Sequence, residues 1–214
     1  MLNVLSRRMS RWKPNARDRL ERAALALFLE RGFDSVTVPE ITARAGLTTR
    51  TFFRHFADKR EVLFADADQM PALAARLVHD APPDLGPIDL VARALPTLAA
   101  TAFEGRLEQL KHRKAIIDGN DGLRERELRK KEQLVDAIAE AFRHRGVDDL
   151  TAAVTAETAV GVVKVALRRW VESSGQEPLR TVMTDSLAQI SEAFDQFNQP
   201  RSGPRRSAES PLIA

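Results

Sequence analysis

The sequence predicts an all-α protein, and three observations carry that prediction. Apolar residues recur at spacings of three and four along most of the 214 residues. Segments alternating apolar and polar, the mark of half-buried strands, are absent. The 10 glycines and 11 prolines gather at a few breaks and so divide the chain into long uninterrupted segments. With 6% aromatic residues and no Tyr, these helices are expected to pack through Leu, Ala and Val.

In chain order, residues 1–14 form a basic arm predicted to be disordered. Its cations Arg7, Arg8, Arg11 and Lys13 suit either a DNA backbone or an idle solvated tail. The arm lacks the sustained apolar stretch and cleavage site of a secretion signal. A first helix is expected over 15–31, with Leu20, Ala23, Ala24, Leu27 and Phe28 on one face and Gly32 ending it. Phe33 and Val36 complete a small core.

The stretch from Thr37 to Lys59 holds the clearest local signals. Thr37 is a good N-cap, Pro39 fits a first helical turn, and Val38, Ile41 and Ala45 make an apolar stripe. Gly46 can take the left-handed conformation that ends a helix. Leu47 staples the turn, Thr48 or Thr49 caps a second short helix, and Phe52 and Phe56 form its inner face. Two short helices joined by a tight Gly-containing turn are a helix-turn-helix, whose second helix enters a DNA major groove.

From Asp58 a further helix is predicted, running through Leu73 and Val78 with a kink near Pro71. A loop follows at 81–87. Helical segments are expected at 87–103, 105–118, 121–145, 149–173 and 177–198, about nine helices in all. The Pro/Ser/Arg-rich tail 199–214 is predicted to be disordered. The expected organisation is therefore a helix-turn-helix domain at 15–60 and an effector-binding and dimerisation domain at 61–198.

Charge divides the same way. Residues 1–60 hold 13 Lys/Arg against 6 Asp/Glu, whereas residues 61–198 hold 17 against 23. A basic head on an acidic body suits a phosphate-facing element carried by a separate sensing unit. The absence of Cys removes disulfides and thiolate chemistry, and His55, His79, His112 and His144 share no metal-ligand spacing. With no Gly-rich phosphate loop either, the expectation is a non-enzyme without cofactor or metal. No apolar run approaches ~18 residues, so a cytoplasmic protein without a membrane partner is expected.

Geometry assigns the head's chemistry. Thr49 and Arg50, at the exposed start of the recognition helix, can reach base edges, and Arg50 can hold a guanine with two hydrogen bonds. Thr51 can touch a thymine methyl or a phosphate. Thr37, Thr48, His55 and Lys59 are candidate phosphate clamps. Lys59 stands out because a cation in the first turn of a helix opposes the dipole unless an anion faces it.

Residues 17–64 resemble the N-terminal domain of the TetR family of bacterial transcriptional repressors. The resemblance is carried by Ala24, Phe28, Gly32-Phe33, Thr37-Val38, Ile41, Ala45-Gly46-Leu47, Thr51-Phe52-Phe53, His55-Phe56 and Lys59. It implies DNA contacts at Thr37, Thr49, Arg50, Phe53, His55 and Lys59. Phe53 stands where the family often has Tyr, so a hydroxyl bond to phosphate is lost there. The body resembles the subgroup with acyl-CoA-like ligands, through Arg113, Ile116-Ile117, Leu123-Arg124-Glu125-Arg126, Ala141-Phe142 and Ala156 through Trp170.

That resemblance implies a homodimeric repressor on a palindromic double-stranded DNA operator, released by a small apolar or amphipathic effector. The other reading is a DNA-binding protein without any effector. Candidate pocket residues are Phe64, Phe103, Leu107, Arg113 or His112, Ile116, Phe142 and Val163, each of which also suits an ordinary core or surface position. Candidate dimer residues are Val160, Leu167, Trp170, Met183, Leu187, Ile190 and Phe194, on two helices able to close a four-helix bundle across a twofold axis. The same stripes would equally complete a monomer core.

Overall fold

A computed structural model describes residues 15–198, with side chains through 193. The arm 1–14, the tail 199–214 and the Phe194 side chain lie outside the described residues. Ten α-helices and no strand occur among the described residues. They are α1 (Ala16–Arg31), α2 (Val38–Ala45), α3 (Thr49–His55), α4 (Glu61–Phe64), α5 (Met70–His79), α6 (Pro87–Leu98), α7 (Leu107–Asp118), α8 (Asp121–His144), α9 (Asp149–Glu172) and α10 (Leu179–Asn198).

Caps set these boundaries. The side chains of Asn15, Asn120 and Asp148 each accept the N–H three residues on, at 2.9, 3.1 and 3.0 Å, and so satisfy donors that a helix start leaves orphaned. Inside α6, Pro96 removes a donor from the ladder, and the next turn widens into a π segment at Ala99–Phe103.

The connection after the helix-turn-helix differs from the single kinked helix expected. α4 spans only four residues, turns through 65–69 follow, and Pro71 sits in the first turn of a new helix, α5. Proline tolerates that position because no N–H is needed there. Asp58 still caps the start, its Oδ1 accepting from the N–H groups of Arg60 and Glu61 at 2.7 and 3.1 Å.

Two apolar cores form. The head core gathers Leu20, Ala24, Phe28, Ile41, Phe52 and Phe64 from α1–α4. Ile116, Ile117 and Leu123, from the facing ends of α7 and α8, join it and plant the body on the head. The body core lies among α5, α6, α8, α9 and α10, with Leu90, Phe142, Val162 and Met183 at its centre. α9 is long and apolar enough to cross a membrane by length and composition, although no uninterrupted apolar run approaches that length, because Glu157 and Lys164 break it. Within the fold it packs against α6, α8 and α10.

Candidate nucleic-acid interface and effector cavity

The turn between α2 and α3 is built by backbone chemistry. Gly46 adopts φ 62° and ψ 41°, and its N–H and that of Leu47 return to the carbonyls of Ala43 and Thr42. Arg19 of α1 donates to the carbonyls of Ala45 and Gly46, closing the end of α2. Thr48 then caps α3, its Oγ1 accepting from Thr51 N–H at 3.1 Å and hydrogen-bonded to Thr51 Oγ1 at 2.9 Å. Thr48, not Thr49, is thus the cap.

Behind the helix pair, Phe52 is fully buried and packs against Phe56 and edge-on against Phe53. On the outer side, Thr49, Arg50, Phe53, Arg54 and His55 are exposed. Most head arginines already have partners: Arg31 with Glu40, Arg44 with Glu30, Arg60 with Asp58. Arg50 and Arg54 have no ion-pair partner among the described residues. One helical turn apart, they share a face of α3. Arg54 was not among the sequence candidates, and the signal that could have found it is this four-residue spacing from Arg50.

Two candidates differ from the expected arrangement. Lys59 turns inward: its Nζ donates to the carbonyls of Phe33, Asp34 and Val36 at 2.8, 3.2 and 3.0 Å and lies 4.4 Å from the Phe33 ring centroid. All three ammonium donors are therefore committed to the loop between α1 and α2, and these carbonyls supply the negative end that a phosphate was expected to provide. Thr37 is exposed, but its Oγ1 and N–H both donate to Glu40 Oε2 at 2.8 Å. These bonds and the nearby Arg31 guanidinium lower the Glu40 carboxyl from its ordinary value to about 2.

In the body, a cavity of about 380 Å³ opens between α5, α6, α7, α8 and α9. Its far end is apolar, walled by Val78, Leu90, Leu95, Ile138 and Phe142. The end nearest the head is charged, with Asp66, Arg113, Glu127 and Lys130. Along α8 the distance from Glu127 to Phe142 is roughly 22 Å at the helical rise per residue. A long slot with one polar end suits an amphipathic ligand.

Of the pocket candidates, Phe103, Arg113, Phe142 and Val163 line this cavity. Phe64 and Ile116 do not, because both are buried in the head core. Leu107 packs beside Gly175, outside the lining. His112 is exposed and likewise outside it, so of these two only Arg113 lines the cavity.

Within the single chain, the dimer candidates are largely taken up by its own packing. Met183 and Leu187 are buried in the chain's own body core and Ile190 packs against it. Trp170 is 8% exposed and donates its indole N–H to the Glu177 carbonyl at 3.0 Å. Val160 and Leu167 face the cavity. What α9 shows outward is a different stripe, with Leu150, Val154 and Val165 exposed by 75, 56 and 38%.

An exposed basic second helix on a packed helix-turn-helix head, joined to a hollow helical body, defines a helix-turn-helix protein with an internal cavity. Residues 21–65 match the family of bacterial regulatory proteins called tetR, and residues 85–195, just over half of the chain, match the MftR C-terminal domain. The chain belongs to the TetR family of transcriptional regulators.

The HTH-type transcriptional regulator TcmR of Streptomyces glaucescens is 29% identical over 138 residues. That match covers 62% of this chain and 61% of TcmR, so it spans about three-fifths of that relative's length. Among solved structures, Thermus thermophilus FadR, a TetR-family repressor in complex with lauroyl-CoA, aligns with TM-score 0.51 and 24% identity, over 88% of this chain and 97% of FadR. SmeT, the repressor of a Stenotrophomonas maltophilia multidrug efflux pump, aligns with TM-score 0.57 and 20% identity, over 83% and 89%. A complex of SmeT with triclosan aligns with TM-score 0.55 and 21% identity, over 83% and 90%. At these identities the structural likeness establishes the fold.

Proposed function

We propose that this chain is a DNA-binding repressor that acts as a homodimer on a palindromic operator and is released by an amphipathic effector held in the body cavity. The observation that carries the reading is the cavity: an apolar slot whose charged end adjoins the DNA-binding head. FadR, which has this fold, binds lauroyl-CoA, and SmeT binds triclosan. Both ligands join an apolar portion to a polar one.

On DNA, Arg50 and Thr49 read base edges while Thr37, Thr48, Thr51, Phe53, His55 and Arg54 rest on the backbone. Lys59 serves by holding the loop before α2 in place. A single short helix spans only a few base pairs, so two heads related by a twofold axis read a longer site. The exposed Leu150, Val154 and Val165 of α9, with the outward face of α10, supply the dimer surface. A bound effector shifts the equilibrium only as far as it prefers the conformation that cannot span the operator.

The test is binding of the purified protein to its own upstream DNA, with a salt titration, lauroyl-CoA and an Arg50→Ala variant. Arg50→Ala is expected to lose about 1–3 kcal/mol of discrimination, about 5- to 150-fold, with no change in melting temperature. Specific affinity falls steeply with salt because bound phosphates release counterions. Failure of any genomic fragment to bind better than random DNA would exclude the regulator reading. An operator complex indifferent to lauroyl-CoA and to other amphiphiles would leave an effector-independent DNA-binding protein.

A further inference from the structure

Two of the cations at the charged end of the cavity also hold the DNA-binding head. Arg113 lines the cavity, yet its Nε donates to the backbone carbonyl of Leu63 in α4 at 2.6 Å. Its guanidinium lies 5.3 Å from the centroid of Phe64, a fully buried head-core ring, and one terminal nitrogen reaches Glu127 of α8 at 3.3 Å. Lys130 lines the same cavity and lies 3.7 Å from the carboxylate of Glu61, the first residue of α4. It also pairs with Asp68, just beyond α4. Arg126 completes this cluster on Glu61, and its Nε is buried without a hydrogen-bond partner.

Four-residue α4 is thus gripped at both ends by cations that face the ligand cavity. The grip is made of groups that an anion can compete for. The Arg113 guanidinium gains by exchanging the neutral Leu63 carbonyl for a carboxylate or phosphate, because a bond between two ionised groups is the stronger, and the Lys130 ammonium, held by carboxylates, is drawn toward a further anion of the same kind. An apolar tail filling the far end touches none of these atoms.

Building on the amphipathic-effector reading above, we propose that Arg113 and Lys130 form a clamp on α4 that an anionic effector headgroup opens. Binding and signalling then depend on different parts of the ligand. The tail supplies affinity through Leu90, Leu95 and Phe142. The anion draws Arg113 from the Leu63 carbonyl and Lys130 from Glu61, freeing α4 and with it the angle of the head. Arg113 is a positioning residue: it acts on DNA only through α4. A neutral amphiphile of equal length occupies the cavity and leaves the clamp shut.

The experiment measures operator affinity of the full chain by fluorescence anisotropy, with lauroyl-CoA below its micelle-forming concentration or 1-dodecanol below its solubility limit, and occupancy followed by calorimetry. For the wild type, lauroyl-CoA is expected to weaken operator binding at least tenfold and bound dodecanol less than twofold. Arg113→Gln is expected to bind operator as weakly without ligand as the wild type does with lauroyl-CoA, and to respond less than twofold further. Arg113→Lys, which can still donate to the Leu63 carbonyl, recovers part of the response. Glu61→Gln, which weakens the Lys130 and Arg126 pairs and leaves Arg113 on the Leu63 carbonyl, gives an intermediate response and serves if Arg113→Gln does not fold.

A folded Arg113→Gln with the full wild-type response overturns the clamp, as does dodecanol that releases operator as well as lauroyl-CoA. If dodecanol does not bind, the Arg113 variants decide. A wild type that binds its operator but ignores lauroyl-CoA and other amphiphiles overturns the effector reading itself, and the clamp with it. A wild type that responds while the variants respond alike overturns the clamp alone.

Discussion

The head and the body are both helical and both organised around apolar side chains, yet one is filled and the other is hollow. In the head, α1–α4 close on Phe28, Phe52 and Phe64, each at most 2% exposed, and all the polar work is done at the rim. In the body, five helices leave about 380 Å³ unfilled. A reading head must hold its side chains to within a fraction of a hydrogen bond, whereas a receptor must leave room. Packing density is where the two tasks diverge.

The largest expected effect tests that contrast directly. Ala24 is fully buried in the head, and Ala159 stands on the cavity wall. Ala24→Leu forces extra atoms into a closed core and is expected to cost about 1–3 kcal/mol, seen as a lower denaturation midpoint. Ala159→Leu puts the same atoms into empty space. Its midpoint is expected to stay close to that of the wild type, while the proposed uptake of an amphipathic effector, probed with lauroyl-CoA, falls. Equal destabilisation by the two would mean that the body is packed as tightly as the head.

Next in size is the turn itself. Gly46 sits at φ 62°, where a side chain costs about 1–2 kcal/mol. A Cβ there would also lie 3.0 Å from the Arg19 guanidinium that closes α2. Gly46→Ala is therefore expected to lower stability by at least that amount and to weaken operator binding beyond the loss of folded protein. The matching change at Gly161, whose added Cβ meets nothing within 4 Å, is expected to leave the folded monomer undisturbed. Denaturant titration of the two variants distinguishes turn strain from a general cost of replacing glycine.

These contrasts also explain how much was legible in advance. The helix-turn-helix could be read because its determinants are local: Gly46 ends α2, a threonine caps α3, and Phe52 and Phe56 recur at one turn. Helix boundaries in the body were legible for the same reason, since glycines, prolines and capping side chains mark them. Lys59 was not, because the carbonyls that hold it belong to a loop 23 to 26 residues earlier. Nor was the cavity, since a side chain that faces a void has the same periodicity as one that faces a neighbour. Ile116 and Arg113, three residues apart on α7, illustrate this: one is sealed in the head core and the other lines the cavity. Met183 and Leu187 fit a dimer seam and a monomer core equally well by spacing. Only the fold shows that they are spent internally and that α9 turns Leu150, Val154 and Val165 outward.

The smallest expected effect concerns two carboxylates of the head whose surroundings differ in sign. Glu40, at the rim, is lowered to about 2 by its bonds from Thr37 and by Arg31. Glu21, on α1, is raised, chiefly because burial disfavours its charge, with Arg17 opposing and Asp66 adding to the rise. A folded-state pKa below the unfolded one means that the contribution of Glu40 is complete above the ordinary value of 4.5 and is lost as pH falls toward about 2. A raised folded-state pKa means the reverse for Glu21: its contribution is complete below 4.5 and is lost as pH rises through its elevated value. Denaturation of Glu40→Gln and Glu21→Gln across this acid range should therefore give gaps to the wild type that run in opposite directions. The Glu40→Gln deficit shrinks as pH falls, because the wild type loses what the variant already lacks. Across the same fall the wild type gains relative to Glu21→Gln as its buried carboxyl becomes neutral. Parallel curves for the two variants would mean that the rim and the interior of the head present the same environment to a carboxylate.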